Sequence, residues 1–197
     1  RISATKDGKI TGLHCHTTAD HGAFDACADP TKFPAGFMNI CTGSYDIPTA
    51  YLAVDGIYTN KAPGGVAYRC SFRVTEAAYF IERMIEVLAI KLGMDAAELR
   101  AKNFIKKDQF PYQSALGWEY DSGDYHTGWK KALNAVGYED LRKEQTERVK
   151  AFKRGETRTL LGIGLSHFTE IVGAGPVKNC DILGLGMFDS CEIRIHP

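Results

Sequence analysis

The sequence predicts an α+β fold shared between parts of two domains. Three observations lead there: a strand, turn and strand pattern at the start, two successive helical segments in the middle, and a loop-rich passage after Lys107 that leads into mixed helical and strand character. With 197 residues, 44% of them hydrophobic, the chain can bury a core in one large domain or in pieces of two.

Arg1 to Thr5 reads as a short strand, Lys6-Asp7-Gly8-Lys9 as a turn whose Asp-Gly pair suits type I′, and Ile10 to Thr18 as the returning strand. Pro30, Pro34, Gly36 and Gly43 make Asp25 to Tyr45 irregular, and Ala50 to Thr59 has strand character around Tyr51, Val54, Ile57 and Tyr58, so two strands flank the excursion. From about Thr75, apolar residues recur at Ala78, Ile81, Ile85, Leu88 and Leu92 and line one helical face, with Glu82, Arg83, Glu86 and Lys91 expected off it. Gly93 stops that helix. Asp95 caps a second one in an Asp-x-x-Glu box with Glu98, and it runs to about Asn103. A boundary falls near 105 to 110. Beyond it, His126 to Val136 fits a helix with Trp129, Leu133 and Val136 on one side, Asp140 to Phe152 a charged surface helix, and Leu160 to Phe168 and Cys191 to Ile195 strands.

Charge and hydropathy exclude several functions. The 24 basic and 24 acidic residues leave no net field to hold nucleic acid or an anionic membrane. No apolar run approaches the ~20 residues of a membrane span and no leader pattern opens the chain, which points to a soluble, intracellular protein. Arg1 already lies inside one apparent strand and Cys191 to Pro197 reads as another cut short, so the expectation is a fragment of a longer polypeptide. The six cysteines contain no C-x-x-C, which argues against a zinc ribbon or a thiolate-held iron–sulfur cluster, and free thiols are expected.

Four features carry chemistry. His14-Cys15-His16 throws both imidazoles to one face of a strand and offers two metal ligands, although histidines on a sheet are more often solvated or satisfied in the core. Gly162-x-Gly164, Gly173-x-Gly175 and Gly184-x-Gly186 lack the third glycine of a dinucleotide loop, since His167, Lys178 and Asp189 stand there; turns and close backbone approach remain, best at Gly173-Ala174-Gly175-Pro176. Glu170 precedes that stretch, where a general base or a surface acid both fit. Cys70 follows the flexible Gly64-Gly65 pair, sits between Tyr68 and Phe72, and lies just before a helix N-terminus beside Arg69 and Arg73, all of which favour thiolate. A small buried thiol is the other reading of the same residues.

The run Val66-Ala67-Tyr68-Arg69-Cys70-Ser71-Phe72-Arg73 resembles the active-site loop of the molybdenum-binding large subunits of the xanthine dehydrogenase and aldehyde oxidase family. The likeness extends through Tyr58-Thr59-Asn60-Lys61, Glu76, Glu82-Arg83, Leu99-Arg100-Ala101-Lys102-Asn103, Phe110-Pro111-Tyr112 and Gly162-Ile163-Gly164-Leu165. Most members carry glycine where this chain has Cys70, and Arg-Cys-Ser-Phe-Arg marks the branch of copper-containing CO oxidisers. The resemblance implies parts of two molybdopterin-binding domains: residues 1–107, including the active-site loop 64–73, closing the first, and 108–197 opening the second, with the cofactor between them.

It further implies that Cys70 ligates Cu(I), that a sulfide bridges copper to a molybdenum on molybdopterin cytosine dinucleotide, that Arg69 and Ser71 lie against that cofactor, and that Phe72 narrows a gas-sized pocket. Soft Cu(I) suits a thiolate ligand. The implied reaction takes CO and water to CO2, two protons and two electrons, the electrons leaving through FAD and [2Fe–2S] clusters on partner subunits in a cytoplasmic dimer of heterotrimers, possible also at the inner face of the membrane. The family's glutamate base and its glutamine beside the oxo group map to no residue here, so the piece alone is expected to be inactive. Two alternatives stand beside this: a copper-free molybdenum hydroxylase of aldehydes or N-heterocycles, which the glycine-for-cysteine pattern disfavours, and a non-catalytic scaffold with Cys70 merely packed.

Overall fold

The structure, a computed structural model, describes residues 1–24, 39–62, 74–170 and 191–195. Strand β1 (Ile2–Ala4) pairs antiparallel with β2 (Ile10–Asp20), as the sequence predicts. The turn between them differs from the expected type I′. The Gly8 N–H donates to the Thr5 carbonyl at 3.0 Å, so the turn spans Thr5 to Gly8 with Lys6 and Asp7 at its centre, and the strand register shifts between Ser3 and Ala4. Thr5 explains the longer loop, because its hydroxyl accepts from the Lys9 N–H at 3.0 Å and donates to the Asp7 carboxylate. Gly8 takes φ 87°, and a Cβ there would meet Met94 Sδ at 2.7 Å, so both conformation and space call for glycine.

Strand β3 (Ala50–Ile57) lies parallel to β2, in register from Leu13 opposite Ala50 to Asp20 opposite Ile57. The irregular excursion is therefore the crossover between two parallel strands. Along β2 the side chains alternate: Leu13, Cys15 and Ala19 turn into the core while His14, His16 and Asp20 turn outward.

Helix α1 (Val74–Leu92) packs Val74, Ala77, Ile81, Ile85, Leu88 and Ala89 inward, and Gly93, at φ 66°, ends it as expected. One residue departs from expectation: Glu82 is only 6% exposed. It is buried because Tyr45 and Arg100 reach it inside the core. Helix α2 (Ala96–Asn103) starts at Asp95, whose carboxylate accepts from the Ala97 and Glu98 N–H groups. At its other end the buried Asn103 amide accepts from the Ile10 N–H and donates to the Gly8 and Leu99 carbonyls, latching the helix to the first hairpin.

A 3₁₀ turn (Lys107–Gln109) and a small antiparallel pair, β4 (Tyr112–Gln113) with β5 (Glu119–Tyr120), form the predicted loop-rich passage. Helix α3 (Tyr125–Val136) buries Trp129, half-buries Leu133 and leaves Val136 58% exposed, so the expected apolar side tapers toward its end. Helix α4 (Tyr138–Lys153) begins at Tyr138 rather than Asp140, because the buried Tyr138 ring docks on Asp95 through its hydroxyl.

Two expected strands are not formed among the described residues. Residues 160–170 alternate exposed and half-buried, as a strand would, but no ladder forms among the described residues. Helical side chains take the backbone hydrogen bonds instead: Gln145 donates to the Leu161 carbonyl and Arg100 to that of Leu165. Residues 191–195 are likewise without strand pairing among the described residues, and they are exposed.

Two apolar clusters hold the fold. One gathers Ile10, Leu13, Tyr45, Ile81, Ile85, Leu99, Phe104 and Trp129 between sheet and helices; the other gathers Cys15, Ile40, Cys41, Leu52, Val74, Ala77, Ile105, Trp118 and Tyr120. Val74 and Ala77, at the start of α1, anchor in the second cluster. No described helix is long and apolar enough to cross a membrane.

Candidate functional site

Arg69, Cys70, Ser71 and Phe72, with the rest of the expected loop 64–73, lie outside the described residues, as do Gly173, Gly175, Gly184 and Gly186. What the structure describes is the chain on either side of the loop. On the upstream side the two strands part gradually beyond Asp20 and Ile57: His21 N–H donates to the Ile57 carbonyl at 2.9 Å, Thr59 N–H to the Gly22 carbonyl at 2.8 Å and Ala23 N–H to the Lys61 carbonyl at 3.1 Å, so one side advances two residues while the other advances four. Residues 57–61 thus leave the sheet at the carboxyl ends of two parallel strands, the place where parallel sheets present ligands.

Asp20 closes this corner. Its carboxylate accepts from the Gly22 N–H at 2.9 Å and the Thr59 hydroxyl at 2.7 Å, and pairs with Lys61 at 3.1 Å. The Gly22 amide first, then Thr59 and Lys61, hold its carboxyl down at about 2.

On the downstream side, α1 is tied to three other segments through Glu82. The Glu82 carboxylate accepts from the Tyr45 hydroxyl, from Arg100 Nε at 2.9 Å and from the His167 N–H at 3.0 Å. Arg100, with no exposed surface, donates further to Glu86 at 3.3 Å and to the Ala96 and Leu165 carbonyls at 3.0 Å each. A buried charge pair is tolerable only when its remaining donors and acceptors are filled, and here they are. Burial first, and the Glu82 charge second, push the Tyr45 hydroxyl well above its ordinary range.

A second chain of bonds runs beside it. Thr169 donates to the Tyr125 hydroxyl at 2.9 Å, so the Ser44 hydroxyl, 2.8 Å away, has to donate to Thr169. Ser44 Oγ is then left to accept, and His167 Nδ1 at 2.9 Å must carry the proton. Burial, then the Arg100 charge, lower His167 to about 4, so the ring is neutral at pH 7. This network holds residues 165–169 against α1 and the 42–46 turn.

The other sequence candidates resolve as follows. His14 and His16 do share one sheet face, but both are exposed and each has a β3 neighbour: His16 Nε2 donates to Asp55 at 2.6 Å, and the His14 ring meets Tyr51 edge-on at 5.1 Å. Among the described residues no group of three or more His, Cys, Asp or Glu is placed to hold a metal. Among the described residues, nothing stands within 4 Å of where a side chain would be at Gly162 or Gly164. Glu170 is exposed. The described cysteines, Cys15, Cys41 and Cys191, are free thiols, as expected. Cys15 and Cys41 are buried together; the bond from Cys41, helped by Thr17, lowers the Cys15 thiol to about 6 against the opposing effect of burial, and Cys41 is pushed up.

Comparison with known proteins adds the family. Residues 1–104 match the molybdopterin cofactor-binding domain, just over half of the chain. The chain belongs to that family. This molybdopterin cofactor-binding domain chain is similar to a carbon monoxide dehydrogenase large chain from Afipia carboxidovorans, with 71% identity over 196 residues, covering 100% of this chain and 24% of that protein. It is 30% identical over 175 residues to the nicotine 6-hydroxylase large subunit of Paenarthrobacter nicotinovorans, covering 88% of this chain and 20% of the other. Among solved structures it resembles a Cu,Mo-CO dehydrogenase in the carbon monoxide reduced state, at TM-score 0.87 and 70% identity over 95% of this chain and 24% of that one. The chain thus spans about a quarter of the length of these carbon monoxide dehydrogenases. The mixed helix and strand architecture expected from the sequence is that of these molybdopterin-binding proteins.

The described part of this molybdopterin cofactor-binding domain chain supplies support rather than metal ligands. Of its thiols, Cys15 and Cys41 are committed to the core, and Cys70, whose sequence setting suits a soft-metal thiolate, lies outside the described residues. The sequence reading gave no role to Asp20, Tyr45 or His167, and Glu82 and Arg100 entered it only within runs that carry the family resemblance. Glu82 had a readable signal, since it sits four residues after Ala78 and three before Ile85 and so shares their face of the helix. The others pair across long stretches of sequence and left no local mark.

Proposed function

We propose that this chain is a segment of the catalytic large subunit of an enzyme that oxidises CO with water to CO2, two protons and two electrons. The observation that carries the reading is the Arg69-Cys70-Ser71-Phe72-Arg73 run inside a chain 71% identical throughout to a carbon monoxide dehydrogenase large chain. The copper-free hydroxylase reading has weaker likenesses behind it, such as 30% identity to the nicotine 6-hydroxylase large subunit. When bound, a Mo–S–Cu centre, with molybdenum on molybdopterin cytosine dinucleotide, supplies the two-electron oxidation. Cys70 holds Cu(I) through its thiolate, and Arg69 and Arg73 favour that ionised form. Arg69, through its backbone, and Ser71 would help hold the molybdopterin cofactor, and Phe72 would wall an apolar pocket that admits a diatomic gas.

The residues up to about 107 close one molybdopterin-binding domain and 108–197 open the next, a division that the end of the family match at 104 supports. Electrons pass to partner subunits carrying FAD and [2Fe–2S] clusters, in a cytoplasmic dimer of heterotrimers. The deciding experiment is metal analysis and CO oxidation in the full-length enzyme and its Cys70→Ser variant. Copper and turnover should both be lost while molybdenum stays; full CO oxidation in the variant, or no copper in the reconstituted parent, would overturn the reading.

A further inference from the structure

Residues 160–170 run as extended chain, since their side chains alternate between exposed and half-buried at every position. In extended chain the N–H and C=O of one residue point to the same edge, and those of its neighbours to the opposite edge. The backbone groups that the helices take from this segment all belong to odd-numbered residues. The Leu161 carbonyl accepts from Gln145, the Leu165 carbonyl accepts from Arg100, and the His167 N–H donates to Glu82. One edge is therefore spent on the helices. The other, formed by the backbone of Gly162, Gly164, Ser166 and Phe168, has no hydrogen-bond partner among the described residues.

We propose that this open edge is a docking site for a strand, and that its occupant in the full-length protein is the stretch from Cys191 to Ile195 of the same chain. An unpaired strand edge is completed by an extended segment that adds its own backbone to the ladder. The stretch 191–195 has the pattern for it. Glu192 and Arg194, two residues apart, pair at 3.5 Å on one face, which leaves Ile193 and Ile195 to the other, and these are 81% and 87% exposed. Side chains that stand opposite each other on neighbouring strands share a face. With Glu192 and Arg194 set against Gly162, Gly164 and Ser166 on the outer face, the two isoleucines fall on the inner face beside Ile163 and Leu165, which already pack against the main apolar cluster. The outer half fits as well. Nothing described stands within 4 Å of where side chains would be at Gly162 and Gly164, which leaves room for the long stems of Glu192 and Arg194 to lie across them. The inference is independent of the copper role proposed for Cys70.

The test is hydrogen exchange on the full-length protein, read by mass spectrometry with fragmentation that resolves single amides. In the parent, the N–H groups of Gly162, Gly164, Ser166 and Phe168 should exchange at least about 100-fold more slowly than their intrinsic rates, as ladder amides do. Ile193→Asp places a charge on the inner face and should quicken those amides about 10-fold or more, while exchange in α4 stays within about 2-fold of the parent. Ile193→Ala, which should quicken them about 3-fold or more, replaces it if the aspartate variant does not fold. Glu192→Ala, on the outer face, should change them less than about 2-fold. Unprotected amides at the even-numbered positions of the parent would show the edge open and overturn the proposal. Protected amides that neither Ile193 variant disturbs would mean that another segment covers the edge, which overturns it equally.

Discussion

Replacing Arg100 by Met leaves the Glu82 carboxyl in the core with two of its partners, Tyr45 and His167, and without its counter-charge. Arg100 is fully buried and Glu82 nearly so, which makes this a stranded charge rather than a trimmed surface pair. Such changes cost about 3–5 kcal/mol. The cost should appear as faster amide hydrogen exchange in α1 and α2 of the full-length protein, by about 10²- to 10⁴-fold at roughly 1.4 kcal/mol per factor of ten. Glu82→Leu strands Arg100 in the opposite sense and should cost a similar amount. The double variant removes both charges and should cost clearly less than the sum, with a coupling of about 2–3 kcal/mol. Some loss remains, because the Tyr45 hydroxyl, the His167 N–H and the Leu165 carbonyl lose their partners. If the two single effects add to within about 0.5 kcal/mol, or if exchange in α1 quickens less than about 10-fold, the pair is not the strut that the geometry makes it.

Three further outcomes are expected. His167 sits near 4 in the fold against about 6.5 when unfolded, so it contributes stability that is complete above about pH 6.5 and is lost as pH falls toward 4; protection of residues 160–170, corrected for intrinsic exchange, should decline over that window, and His167→Gln should flatten the decline. Asn103→Leu leaves the Ile10 N–H and the Gly8 carbonyl without a side-chain partner in the core, at about 1–3 kcal/mol each, and exchange in the first hairpin should quicken while that in α4 does not. Iodoacetamide should leave Cys15 and Cys41 unmodified in the native full-length protein and reach them only with denaturant; labelling of either at native conditions would contradict their burial.

These tests fall mostly on residues that the sequence did not single out, and the reason is physical. The hairpin, the strand after the excursion, α1, α2 and the capping by Asp95 were legible because turn residues, apolar periodicity and caps act over a few positions, whereas the parallel pairing of that strand with β2 was not. The turn at Lys6-Asp7 was misread because the Thr5 hydroxyl competes with the Asp7-Gly8 preference by bonding both Asp7 and the Lys9 N–H, a choice that depends on one side chain rather than on the dipeptide. Residues 160–168 have the alternation of a strand, but period alone does not supply a neighbour, and here Arg100, Glu82 and Gln145 satisfy the backbone instead.

The same distinction separates the candidate site into two layers. Cys70 stands out in the sequence through its neighbours, glycines, flanking arginines and the start of a helix, and it lies outside the described residues. The frame around it is assembled from partners far apart in sequence, Asp20 with Thr59 and Lys61, and Glu82 with Tyr45, Arg100 and His167. The first set fixes the chain where it leaves the sheet before the loop, and the second fixes the helix that follows it. Both borders are held by side chains that lie far from their partners in sequence, which is why a local reading does not find them.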